Sequence, residues 1–125
     1  MTAERILLVE DNDKNLKLTR DLLEWAGFAV DAATTGEDAI AQAERSAPDL
    51  VLMDLQLPGM DGHEALARLR QNPGTADVPV IALTASAMPL DRERALASGF
   101  DGFLEKPINV RQFPDQVRRY LRNGQ

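Results

Sequence analysis

Apolar positions along the chain follow two alternating patterns. Short runs dominated by Ile, Leu and Val, at Arg5–Val9, Ala29–Ala32, Leu50–Met53, Val78–Leu83 and Gly102–Leu104, predict five strands. The first, third and fourth are nearly continuous in these residues, as expected where both faces of a sheet are covered. The intervening segments read as helices over 13–26, 36–46, 62–71, 88–98 and 110–122. Asp13 is expected to cap the first helix and Asn109 precedes the last, while Gly27 and Gly99 follow helix ends. The last helix places Val110, Phe113, Val117, Tyr120 and Leu121 on one stripe, although Pro114 in its first turns is expected to shift its start. Strand and helix alternating five times predict an α/β fold, a doubly wound five-stranded parallel sheet with helices on both faces. Such folds carry their chemistry beyond the carboxyl ends of the strands.

Composition narrows the function. The 125 residues are the size of one domain, read here as spanning 1–125. With no cysteine there is no disulfide, zinc–thiolate site or thiol nucleophile. The longest apolar runs, such as Ile6–Val9 and Val80–Leu83, are four residues, whereas a membrane span needs about 20. The first residues show no secretory pattern, so a cytoplasmic protein without a membrane partner is expected. A net charge of −6 argues against direct nucleic-acid binding. Four arginines follow Pro107, and three of them, Arg118, Arg119 and Arg122, read as a solvated helix surface rather than a small basic face.

The strand ends carry Glu10-Asp11, Asp54, Thr84 and Lys106. Three converging carboxylates repel one another unless a cation joins them. Magnesium suits a few carboxylates and shares its shell with phosphate. A compact ammonium and a hydroxyl suit a phosphoryl group. No glycine-rich phosphate loop follows the first strand. Asp54, ending the central strand, is the candidate nucleophile toward an activated phosphoryl group, with Glu10 and Asp11 placed to hold metal. His63 reads as an isolated surface residue, Met53, Met60 and Met88 as packing or loop residues, and Leu57-Pro58-Gly59 as a turn.

Val-Glu-Asp-Asn at 9–12, Leu-Met-Asp-Leu-Gln-Leu-Pro-Gly-Met-Asp-Gly at 52–62, Ala-Leu-Thr-Ala at 82–85 and Lys-Pro at 106–107 together resemble the receiver domain of bacterial two-component response regulators. Asp11, Asp54, Thr84 and Lys106 are separated by 43, 30 and 22 residues, and the match covers essentially the whole chain. The likeness extends to single-domain regulators of the cell-division and polarity type and to receivers of hybrid kinases. It implies a flavodoxin-like strand order 2-1-3-4-5. It also implies that Asp54 accepts phosphate from a phosphohistidine of a histidine kinase or phosphotransfer protein. Asp11, Asp54 and the backbone carbonyl of Gln56 would ligate magnesium, with Glu10 acting through water, and Thr84 and Lys106 would bind phosphoryl oxygens. Phe103 would be an aromatic switch altering the surface of the fourth helix, fifth strand and fifth helix, with its arginines, for a downstream protein. A monomer or weak phosphorylation-dependent dimer is expected, as is a cis Lys106–Pro107 bond. The competing reading, a magnesium-dependent phosphohydrolase, would need an acid two residues after the nucleophile, where Gln56 stands.

Overall fold

The computed structural model describes residues 3–57, 59–60, 62–85, 89–106 and 108–123, without the side chains of 89–92, 122 and 123. Strands β1 (Arg5–Val9), β2 (Ala29–Ala33), β3 (Leu50–Asp54), β4 (Val80–Thr84) and β5 (Gly102–Glu105) alternate with helices α1 (Asp13–Trp25), α2 (Gly36–Arg45), α3 (Gly62–Gln71), α4 (Pro89–Ala97) and α5 (Phe113–Asn123). The strands are parallel, as the alternation predicts, and ordered β2-β1-β3-β4-β5, as the resemblance implies.

Alternate strand positions divide the core between two faces. On one, Leu7, Val9, Val51, Met53, Val80 and Ala82 pack with residues of α2, α3 and α4. On the other, Ile6, Leu8, Leu50, Leu52, Ile81 and Leu83 pack with Leu23 of α1 and with Phe113, Val117 and Leu121 of α5. Gly27 and Gly99 adopt φ values of +102° and +106° just beyond α1 and α4, positions that exclude an unstrained side chain.

Three local expectations are corrected. The cap of α1 is Asn12, whose side chain accepts from Asn15 N at 3.0 Å; Asp13 lies in the first turn. The start of β4 retreats to Val80, because Val78 N bonds Thr75 O and Arg70 takes the Val78 carbonyl at 2.6 Å. The start of α5 moves to Phe113 because Asn109 closes a separate turn, its side chain accepting from Arg111 N and Gln112 N. Pro114 thereby falls in the first turn of α5, where no amide hydrogen is needed, and Val110 is exposed rather than buried. Pro107, with the expected cis bond, and Met88 lie outside the described residues, while Met53 and Met60 are buried.

Candidate phosphoacceptor site

The parallel order brings the carboxyl ends of β1, β3, β4 and β5 together along one rim. Glu10 follows β1, its amide held by the carbonyl of Ala33. Asp54 closes β3, and Thr84 closes β4 with its carbonyl accepting from Lys106 N at 2.7 Å. That bond delivers Lys106 over the acids. Its ammonium donates to Glu10 Oε1 at 2.7 Å and to Asp54 Oδ2 at 2.6 Å. The other Asp54 oxygen accepts from Gln56 N at 2.9 Å.

Glu10 is 1% exposed and Asp54 6%. Burial raises the Glu10 pKa from 4.5 to about 7; the neighbouring Asp54 carboxylate adds to the rise and Lys106 opposes it. For Asp54 burial acts upward too, but the neighbouring Glu10 carboxyl, the Lys106 ammonium and the Gln56 amide outweigh it and hold the group below its ordinary value. Lys106 is raised, its bonds to Asp54 and Glu10 overcoming the effect of burial. The Lys106 ammonium thus favours the charged form of Asp54, while burial disfavours a second charge on Glu10.

The metal reading has geometric support. Glu10, Asp11 and Asp54 each offer an oxygen, all within 4.8 Å of one another. Asp11 is exposed, and the buried Oε2 of Glu10 has no hydrogen-bond partner. Oxygen donors around an orphaned buried carboxylate oxygen suit a hard divalent cation.

A cavity of about 230 Å³ opens beside Asp54 and is bordered by Gln56, Thr84, His63 and Arg94. His63 is exposed, as expected, but it is not isolated. Its Nδ1 lies 3.1 Å from Ser98 Oγ, and its ring meets Phe100 edge to face at 5.5 Å. The sequence does not mark His63 or Arg94 for this place, because each comes from a helix whose approach to the rim is set by tertiary packing. Phe103 is half-buried, paired in register with Ala82 and packed against the core on the α2–α3–α4 side. Arg118 does not join the surface of α4, β5 and α5. It pairs with Asp115, donates to the carbonyl of Ala26 and lies 5.6 Å over the Phe28 ring, tying α5 to α1. The Arg122 side chain lies outside the described residues.

A five-stranded parallel sheet of this order, with an acidic cation site and a lysine at its carboxyl rim, defines a receiver-type signalling domain. Residues 6–118 match the response regulator receiver domain, and the chain belongs to that family. It is 40% identical over 119 residues to the polar-differentiation response regulator DivK of Brucella ovis, covering 95% of this chain and 97% of that one. Its fold superposes with a TM-score of 0.88 on the receiver domain of a sensor histidine kinase from Pseudomonas aeruginosa, solved with a magnesium ion coordinated in the active-site cleft. The two are 36% identical, with 96% and 98% of the chains covered. A chemotaxis protein of Vibrio cholerae is similar at a TM-score of 0.90 and 26% identity, over 95% and 99% of the chains. Among the described residues no helix is long and apolar enough to cross a membrane.

Proposed function

We propose that this chain is a phosphorylation-controlled switch, a single receiver domain over 1–125 that accepts phosphate on Asp54 from a phosphohistidine of a histidine kinase or phosphotransfer protein. The observation that carries the reading is the pairing of buried Asp54 with Lys106 at 2.6 Å beside two further carboxyl groups at the rim. An Asp54 oxygen attacks the phosphorus as the phosphorus–nitrogen bond breaks and its electron pair leaves on the donor imidazole. Lys106 follows the charge onto the phosphoryl oxygens while the Thr84 hydroxyl donates to another. Glu10, Asp11, Asp54 and the Gln56 carbonyl would hold magnesium, which when bound neutralises charge on the transferring group. Every role named is that of an acceptor rather than of a turnover enzyme. Phe103 then repacks, changing protein contacts in the cytoplasm, without direct nucleic-acid or membrane binding and as a monomer or weak dimer.

The test is intact mass after incubation with magnesium and phosphoramidate. One phosphate should be gained, and the gain should disappear in Asp54→Asn and in excess chelator. Full labelling of Asp54→Asn at no neighbouring acid would overturn the assignment. A second reading, a relay intermediate, is favoured by the 36% identity to a receiver of a sensor kinase. Return of phosphate from Asp54 to a histidine phosphotransfer protein would support it.

A further inference from the structure

We propose that Arg94 and His63 form a leaving-group subsite in the acceptor cavity, with Arg94 setting which small phosphodonors the chain accepts. The proposal rests on the reading of Asp54 as phosphoacceptor. Both residues border the cavity that holds Asp54, Gln56 and Thr84, and both are exposed where Asp54 is buried, so they form its outer end. In-line transfer places the leaving group on the side of phosphorus away from the attacking oxygen. A group leaving Asp54-bound phosphorus therefore departs toward the cavity's outer end.

Charge there comes from Arg94. Its guanidinium has no ion pair with a described acidic side chain. The Ser98 hydroxyl donates its proton to the Arg94 carbonyl at 2.8 Å, so Ser98 Oγ accepts from His63 Nδ1–H. That bond and the Phe100 contact fix the imidazole as a wall between the start of α3 and the end of α4. The cavity's remaining border includes Leu55 and Leu83, room for a short acyl group.

The chemistry separates two donor classes. With a small acyl phosphate, an Asp54 oxygen forms a new bond to phosphorus as the phosphorus–acyl oxygen bond breaks. The bonding pair leaves on a carboxylate, and no proton moves. A guanidinium binds that developing carboxylate through charge-assisted, geometrically matched hydrogen bonds. With phosphoramidate the leaving group is neutral ammonia, and Arg94 gives it no such advantage.

The experiment compares initial labelling rates, by intact mass at fixed magnesium, with acetyl phosphate and with phosphoramidate in wild type, Arg94→Ala and Arg94→Lys. Arg94→Ala should slow acetyl phosphate labelling about tenfold, the scale of a charge-assisted hydrogen bond to a partly exposed group, with Arg94→Lys intermediate. Labelling by phosphoramidate should change less than about twofold in either variant, well inside that charge-assisted scale. Equal losses with both donors would place Arg94 on the phosphoryl group or in the fold, and no loss with either would remove it from the reaction; each overturns the subsite. Wild type unlabelled by both donors would instead overturn the phosphoacceptor reading beneath it.

Discussion

A carboxyl group 1% exposed, with one oxygen on an ammonium and the other without a donor, is destabilising whenever it is ionised. Glu10 in this setting has its pKa raised to about 7, so its proton stabilises the fold fully below 4.5, and the benefit is lost as pH rises through 7. Asp54 contributes in the opposite sense, above its ordinary 3.8, and Lys106 below its ordinary 10.5, so neither changes the slope between these limits. In chelator, urea midpoints should therefore fall from pH 4.5 to 7, and Glu10→Gln should flatten the fall. An unchanged slope in that variant would assign it elsewhere. Asp11 is the exposed member of the cluster and Glu10 is tied to Lys106. Magnesium affinity measured by calorimetry should therefore drop at least about tenfold in Asp11→Asn, and by less in Glu10→Gln. Equal losses would contradict direct ligation by one and water-mediated support by the other.

The loop from β3 to α3 shows how whole elements are placed by what a side chain would displace. A Cβ on Gly62 would stand 2.8 Å from the Asp54 carbonyl oxygen and 3.0 Å from Leu55 Cα, both backbone atoms that cannot swing away. Gly62→Ala should cost about 1–3 kcal/mol in denaturation experiments. It should also reduce Mg-dependent labelling, because α3 is pushed from the strand end that carries Asp54. A Cβ on Gly36 would stand 3.1–3.2 Å from side-chain atoms of Met60, a flexible thioether that can give way, so Gly36→Ala should cost less. A loss in Gly36→Ala as large as in Gly62→Ala would contradict this distinction. The same contrast explains what was legible in the sequence. The five strands, the alternation and the rim of Glu10, Asp11, Asp54, Thr84 and Lys106 are encoded locally, since each site residue ends a strand or lies within two residues of its end. Asn12 in place of Asp13 depends on which of two adjacent polar groups turns back onto the backbone, and Phe113 in place of residue 110 depends on Asn109 closing a turn of its own first. The outer wall of the cavity depends on α3 and α4 meeting through His63, Ser98 and Phe100, residues 35 apart or more in sequence from His63.

Across the whole molecule, the rim and the surface of α4, β5 and α5 are joined through β5. Phe103 lies in the strand that ends beside Lys106, its carbonyl receives the Tyr120 hydroxyl at 3.4 Å, and Gly102 leaves room for the Tyr120 ring. Phosphate drawing Thr84 inward would repack Phe103 and shift that strand against α5. Beryllofluoride with magnesium should thus perturb amide resonances over residues 84–110 as well as around Asp54. Phe103→Ala should keep labelling nearly unchanged while reducing the change in affinity for a partner, where couplings of about 5–150-fold are usual. Perturbations confined to the acidic rim of wild type would rule out transmission through β5.

The strand order also bears on how the chain becomes a protein during translation. In the final sheet β3 lies on the free side of β1, β4 beside β3 and β5 beside β4, so a chain that pairs its strands in order of synthesis would build the sheet outward at one edge. At ribosomal speeds of about 5–20 residues per second, several seconds separate the emergence of Glu10 from that of Lys106. Until the last strand docks, the sheet's centre holds two carboxyls that are to be buried and lacks the ammonium that answers them. A nascent chain stalled before residue 106 should accordingly remain loosely packed at that rim, and arrival of the lysine closes the sheet and the charge balance together.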